Sequence, residues 1–220
     1  ERVEMEKQLS GARLELLKSQ INPHFLFNTL NMIACMAKLE EAVTTERMIS
    51  SMSSLFRYNL KTSEQIVTLA RELKVVQDYM YIQQMRFGSR ILYSCDLKVD
   101  AEQAMIPAFT LQPVVENAMV HGLSKKEQGG RVHVRIWEQG KRLVISVADT
   151  GLGMSEERLA EVTEAMKERR TSRIGIGLGN IYKRIHMMYK QGEFRIASIE
   201  GRGTVIQMFI PQEKHNRGDK

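Results

Sequence analysis

Asp149-Thr150-Gly151-Leu152-Gly153 and Gly175-Ile176-Gly177-Leu178-Gly179 are two glycine-rich stretches about 25 residues apart, and the first opens on a carboxylate. The run before it, Val144-Ile145-Ser146-Val147-Ala148, mixes β-branched with small residues and predicts a strand. Asp149 then falls at a strand end, where a carboxylate can accept a hydrogen bond from an exocyclic amine. Glycines let backbone N–H groups approach phosphates that a Cβ would hold off. Gly179-Asn180 opens a helical pattern of Ile181, Ile185, Met188 and Tyr189. The second stretch is therefore expected at a helix N-terminus, where free N–H groups and the dipole favour an anion. A carboxylate for an amine and glycines for phosphates predict a nucleotide pocket.

A third element lies upstream, Leu111-Gln112-Pro113-Val114-Val115-Glu116-Asn117-Ala118-Met119-Val120-His121-Gly122. On a helix, Asn117 and His121 are i and i+4 and share a face. A polar pair on an apolar helix needs partners, and the carbonyl oxygen of Asn117 suits Mg²⁺. The order Glu-Asn…His, D-x-G-x-G, G-x-G-x-G and Gly203-Thr204 resembles the ATP-binding fold shared by gyrase, the heat-shock ATPase chaperones, MutL and the histidine kinases, over roughly residues 105–211.

Near the N-terminus, Gln20-Ile21-Asn22-Pro23-His24-Phe25-Leu26-Phe27-Asn28-Thr29-Leu30-Asn31 resembles the phosphoacceptor segment of the LytS/YesM-type bacterial sensor histidine kinases. Phe56-Arg57-Tyr58, Val67-Thr68-Leu69, Tyr79-Met80-Tyr81-Ile82-Gln83 and Arg86-Phe87 are similar to further pieces of that family. The resemblance implies autophosphorylation of a histidine from ATP and transfer of the phosphoryl group to an aspartate of a response regulator receiver domain. It implies that His24 attacks the γ-phosphate and that Asn28 hydrogen-bonds its ring or orients a water. It also implies that Asn117 holds Mg²⁺, with Glu116 beside the metal and His121 near the phosphates or ribose. It implies further that Asp149 reads the adenine amine with support from Thr204, and that Gly151, Gly153, Gly175, Gly177 and Gly179 shape the nucleotide loops. Position 25, often acidic in the wider superfamily, is Phe25, which leaves the base unassigned. Position 120, Lys or Arg in several superfamily kinases, is Val120. Lys125, Lys126 or a basic lid (Lys167, Arg169, Arg170, Arg173) are candidates for the missing cation. Two rival readings are an ATPase of the heat-shock chaperone or MutL kind, with Glu116 activating water, and a non-catalytic ATP-binding dimer scaffold. The helical segment bearing His24 argues against the first, and the intact Asn117, Asp149 and glycines argue against the second.

Met5, Leu9, Ala12, Leu16, Ser19, Pro23, Leu26, Leu30, Ile33 and Ala37 follow a 4-3 spacing. That spacing predicts a dimer seam on a long helix with His24 facing away from it. Pro23 is expected to kink this helix. The second helix is expected over residues 41–60, and Met32, Met36, Met48, Met52, Met187 and Met188 read as core filler. Further helices are expected over 69–87, 108–121 and, capped by Ser155, 156–167; strands over 91–99, 132–137, 143–148, 194–199 and 204–210. The predicted fold class is α+β. A helical-hairpin dimerisation domain (residues 1–64, a four-helix bundle in the dimer) precedes a Bergerat-type ATP-binding α/β sandwich (65–212) and a polar tail (213–220).

The net charge of +6 is spread along the chain and aromatics are 6%, which speaks against nucleic acid. Cys35 and Cys95 have no metal-ligand spacing, and a reducing compartment fits them. No apolar run is long enough to span a bilayer. The chain opens on a charged, helical segment and reads as a piece of a longer protein. The resemblance implies a membrane-spanning sensor region upstream, absent here, and places this piece on the cytoplasmic side of the cell membrane.

Overall fold

A computed structural model describes residues 23–167 and 176–212. The chain divides into two compact units, with the break between Ser63 and Glu64.

The first unit is a helical hairpin of α1 (Pro23–Leu39) and α2 (Val43–Lys61). Glu41, in a left-handed backbone conformation with φ 58°, makes the turn between them, so α2 starts two residues later than expected. Phe27, Leu30 and Ala37 form the buried stripe of α1, and Tyr58 is buried on α2. Leu30 and Ala37 of the expected dimer seam are buried within this single chain, whereas Ile33 of the same seam is 42% exposed and adjoins an apolar stripe of Phe25, Met32, Met36 and Leu39, which are 69, 59, 53 and 80% exposed. Met52 and Met187 are exposed too, so these methionines are not core filler. Met5 to Ser19 of the seam, and the chain entering Pro23 where a kink was expected, lie outside the described residues.

The second unit runs β1 (Ile66–Thr68), α3 (Leu69–Phe87), β2 (Ile91–Leu97), β3 (Met105–Pro107), α4 (Leu111–Asn117), β4 (Gly130–Gln139), β5 (Arg142–Asp149), α5 (Glu156–Lys167), α6 (Ile176–Met188), β6 (Glu193–Ile199) and β7 (Gly203–Pro211). The main sheet has the order β2-β4-β5-β7-β6, with β2 parallel to β4 and the other neighbours antiparallel. β1 and β3 form a separate two-stranded ribbon. Side-chain alternation puts Val132, Val134 and Ile136 of β4 on the same face as Leu143, Ile145 and Val147 of β5 and Ile206, Met208 and Ile210 of β7. These pack with Leu73, Val76 and Met80 of α3, Val114 and Val115 of α4, Val162 of α5 and Ile181 and Ile185 of α6 in one core. The other face carries Arg131, His133, Arg135 and Trp137 of β4. The result is an α+β sandwich with its helices on one face of a mixed sheet. Asp149 shares its parity with Val147, and Thr204 with Ile206, so both side chains point from the sheet into the helical layer.

Two helix boundaries differ from expectation at the site. The helix expected over 108–121 begins only at Leu111, because Phe109 has φ 58° and cannot be helical. After Asn117 it widens into a π turn, Ala118–Leu123. Helix α6 starts at Ile176, so Gly177 and Gly179 belong to its first turn and not to a loop before it.

Candidate functional site

Between the core face of the sheet, α4 with its π turn, α5 and the first turn of α6 lies a cavity of about 480 Å³, within the range of small-ligand sites. Val114, Val147, Leu178 and Ile206 give it apolar walls, and Asn117, His121, Asp149 and Thr204 line it with polar groups. The predicted polar set therefore converges from three separate segments on one cavity.

Asp149 is 9% exposed. Its Oδ1 accepts from the Gly151 N–H at 2.8 Å. Gly122 presses against the same carboxylate: a Cβ there would stand 2.8 Å from Oδ1. The Gly122 carbonyl in turn accepts from Leu152 N–H at 3.0 Å. The π turn thus brings the end of the Asn117 segment and the first glycine stretch into backbone contact. Burial pushes the Asp149 carboxyl above the ordinary carboxylate range, while the N–H groups of Gly151 and Thr204 and the charge of Lys126 pull the other way. Gly153 has φ 64°, and its Cα faces the Ile199 carbonyl so closely that a side chain is excluded.

Thr204 is oriented by Ser198. The Ser198 hydroxyl donates to the Gly203 carbonyl at 3.0 Å and accepts from Met154 N–H at 2.9 Å. Its 2.9 Å contact to Thr204 Oγ1 therefore takes the proton of Thr204. The lone pairs of the Thr204 hydroxyl are left to accept from a donor in the cavity.

Asn117 donates its amide to the Pro113 carbonyl at 2.6 Å. This fixes the side chain and leaves the hard oxygen Oδ1 as the atom suited to Mg²⁺. Gly177 of α6 lies against that amide, where a Cβ would be 3.3 Å from Nδ2. Among the described residues no cluster of three or more His, Cys, Asp or Glu side chains is built to hold a metal. A single amide oxygen fits a cation whose other ligands are phosphates and water.

Glu116, one residue earlier, is not among the cavity-lining residues. Its carboxylate accepts from Gln112 Nε2 at 2.8 Å, and its charge adds to the burial that raises the phenol pKa of Tyr79 on α3. Lys126 donates its Nζ to the Thr150 carbonyl at 2.5 Å, on the Asp149 side of the site. Gly175, Arg169, Arg170 and Arg173 lie outside the described residues. In the first unit, His24 is exposed, and Asn28 brings its Nδ2 to 3.3 Å from the ring Nδ1, one helical turn away.

Arg158 on α5 also lines the cavity, paired with Glu161 at 2.8 Å. Sequence reading missed it. The available signal was its position three residues after the Ser155 cap, whose Oγ accepts from Arg158 N–H at 3.3 Å.

Comparison with known proteins agrees with this geometry. The family described as "Histidine kinase" matches residues 12–91, and the family described as "Histidine kinase-, DNA gyrase B-, and HSP90-like ATPase" matches residues 108–214. The sensor histidine kinase YpdA of Escherichia coli K12 is 36% identical over 215 residues, covering 96% of this chain and 36% of YpdA. The sensor histidine kinase YesM of Bacillus subtilis 168 is 33% identical over 212 residues, covering 96% of this chain and 35% of YesM. The sensor protein LytS of Bacillus anthracis is 32% identical over 211 residues, covering 94% of this chain and 35% of LytS. The chain spans about a third of the length of these relatives. With a cavity of converging polar groups on an α+β sandwich, a histidine-bearing helical hairpin before it and these relatives over nearly its whole length, the chain belongs to the sensor histidine kinases of the LytS/YesM type.

Proposed function

We propose that this chain is the catalytic portion of a two-component sensor kinase that transfers the γ-phosphoryl group of ATP to His24, from which it passes to an aspartate of a response regulator receiver domain. The observation that carries this reading is the buried Asp149 carboxylate facing a cavity that Asn117 also lines. A desolvated acceptor at a strand end, set by backbone N–H groups, is built to read an amine rather than to hold the fold. Mg²⁺, when bound, neutralises phosphate charge. Asn117 offers its Oδ1 to the metal, and Asp149 and Thr204 hold the adenine edge. His121 stands at the open side of the cavity for the phosphates or ribose. Gly151, Gly153, Gly175, Gly177 and Gly179 shape the backbone around the nucleotide. In the transfer, a ring nitrogen of His24 forms the P–N bond as the bond from phosphorus to the ADP oxygen breaks, and the ring gives up its proton. Asn28, held at the ring, orients the imidazole. For Glu116 to take part in proton transfer, its carboxylate must leave Gln112 and turn toward the cavity.

The exposed stripe of Phe25, Met32, Met36 and Leu39 supports a homodimer, since an apolar helix face of this kind is ordinarily covered. Among the described residues no helix is long and apolar enough to cross a membrane. A membrane-spanning sensor region preceding this piece, with the kinase on the cytoplasmic side, is the arrangement we propose. Incubation with γ-labelled ATP tests the reaction. Acid-labile, base-stable label on the wild type and none on His24→Gln is expected. Label that persists on His24→Gln refutes the phosphoacceptor, and steady ATP hydrolysis without labelled protein supports an ATPase instead.

A further inference from the structure

Helix α4 carries Asn117 at its end and continues directly into the π turn, a helical run of residues 111–123. Its N-cap residue does not cap it. The Thr110 hydroxyl is turned backward and donates to the Pro107 carbonyl at 2.6 Å. The orphan N–H groups at the start of α4 go instead to Glu72, a residue of α3 some 40 positions upstream. Glu72 is completely buried. Its Oε1 accepts from Phe109 N–H at 2.7 Å, and its Oε2 accepts from Thr110 and Leu111 N–H at 3.0 and 2.7 Å. Burying a carboxylate is costly unless it is fully hydrogen-bonded, and three converging charge-assisted bonds supply that. The same turn is gripped from the other side. Arg184 of α6 donates to the Ala108 carbonyl and also reaches that of Phe109. Between the two grips, Phe109 sits in the left-handed region at φ 58°, a conformation that a bulky residue holds only when its surroundings impose it.

We infer that Glu72 is a positioning residue for the metal-facing end of the site. By fixing the start of α4 it fixes Asn117 six residues on, about 9 Å along the helix. The path is contiguous: Glu72 holds the N–H groups of residues 109–111, the first turn carries Pro113, and the Pro113 carbonyl locks the amide of Asn117. Adenine-facing Asp149 is held by its own contacts with Gly151 and Gly122 and is outside that path. Glu72 therefore supports one end of the site and not the other. This inference rests on the proposed reading of the cavity as an ATP and Mg²⁺ site.

The test is calorimetric titration of the whole chain with ATP, with Mg²⁺ and with excess chelator, in wild type and in Glu72→Gln. The substitution keeps the size of the side chain but turns amide donors toward backbone donors. Mg²⁺ is expected to strengthen ATP binding to the wild type. In Glu72→Gln that gain falls by roughly tenfold or more, as for other groups that orient a metal ligand, while metal-free ATP affinity stays at the wild-type value. Glu72→Asp, which keeps the charge and withdraws it by one methylene, should show an intermediate loss, and it serves if the Glu72→Gln variant does not fold. Hydrogen exchange of the wild type should show the Phe109, Thr110 and Leu111 amides protected. A Mg²⁺ gain preserved in a folded Glu72 variant, or fast exchange of those three amides in the wild type, overturns the inference and leaves the proposed function standing. A wild type whose ATP affinity ignores Mg²⁺ overturns the metal reading itself, and the inference with it.

Discussion

Asp149→Asn tests the site at its most constrained atom. The substitution changes two features together. It removes the charge, and it replaces one acceptor oxygen by a donor group in a position that is 9% exposed. One oxygen is already engaged with the Gly151 N–H at 2.8 Å, and Thr204 N–H also points at the carboxylate. The amide can keep its oxygen on Gly151, and its NH₂ then faces the adenine amine, donor against donor. An unmatched buried pair of this kind costs about 1–3 kcal/mol, or roughly tenfold to a hundredfold in ATP affinity. The fold should persist, because burial already holds the carboxyl above its usual pKa and removing the charge relieves that cost. Calorimetry with ATP and with inosine triphosphate separates recognition from damage. The wild type should prefer ATP, whose six-position amine matches the carboxylate. The variant should lose that preference, because its NH₂ can donate to the six-position carbonyl of inosine. Equal ATP affinity in the two proteins, or an unchanged preference between the two nucleotides, refutes the assignment and leaves Asp149 as a turn residue.

The raised pKa of Asp149 also sets a pH dependence. A carboxyl raised on folding contributes stability that is fully present below its unfolded pKa and is lost as pH rises through the folded one, so this group favours the empty domain at low pH. Nucleotide binding needs the ionised acceptor, so ATP affinity should fall as pH drops through that raised value. The same titration on Asp149→Asn should lack this limb; an identical limb in both proteins assigns it elsewhere. In the helical hairpin, Met36→Glu should convert the dimer to a monomer with its helicity retained, whereas Leu30→Asp should unfold the hairpin because Leu30 is 8% exposed within one chain. Sedimentation and circular dichroism check both, and an intact Met36→Glu dimer rules this stripe out as the interface.

Local patterns made the sandwich legible. The strand Arg142–Asp149 follows from its β-branched run, but residues 143–147 are all buried, so the run alone does not say which face the helices cover. Ser155 and Thr68 mark helix starts by their own side chains, as the N–H groups of Arg158 and Arg71 show. What stayed hidden is non-local. A 4-3 spacing finds an apolar stripe but not which partner covers each position: Leu30 and Ala37 are buried within the chain, while Ile33 of the same spacing is exposed. Glycine was read as loop in Gly177 and Gly179, but a helix's first turn takes glycine where another side chain lies close, as Asn117 does at Gly177. The strands β1 and β3, three residues each, are too short for periodicity to register. Glu72 looks like one more charged residue on an amphipathic helix, and only the folded chain shows its carboxylate at the start of α4.

Several departures from local preference lie along α4 and at the strand end that its π turn meets. Asp149 is a buried carboxylate with a raised pKa, Phe109 has a left-handed backbone, and α4 widens into a π turn after Asn117. Gly122 crowds the Asp149 carboxylate, and Glu72 buries a second charge to cap a helix that its own N-cap residue leaves open. Each lowers stability relative to an ordinary alternative: an apolar residue at 149, a glycine at 109, a regular α turn through 118–123, a serine cap at 110 that faces forward. A packing account has to explain them separately. A ligand account explains them together, because a nucleotide in the cavity needs a dry acceptor from β5 and a rigidly held oxygen from α4, and the π turn with its contact at Gly122 ties those two elements together. On the proposed reading of the cavity as a nucleotide site, the constraint on these residues comes from what binds there, and substitutions that relax it, such as Asp149→Asn, should lose nucleotide before they lose the fold.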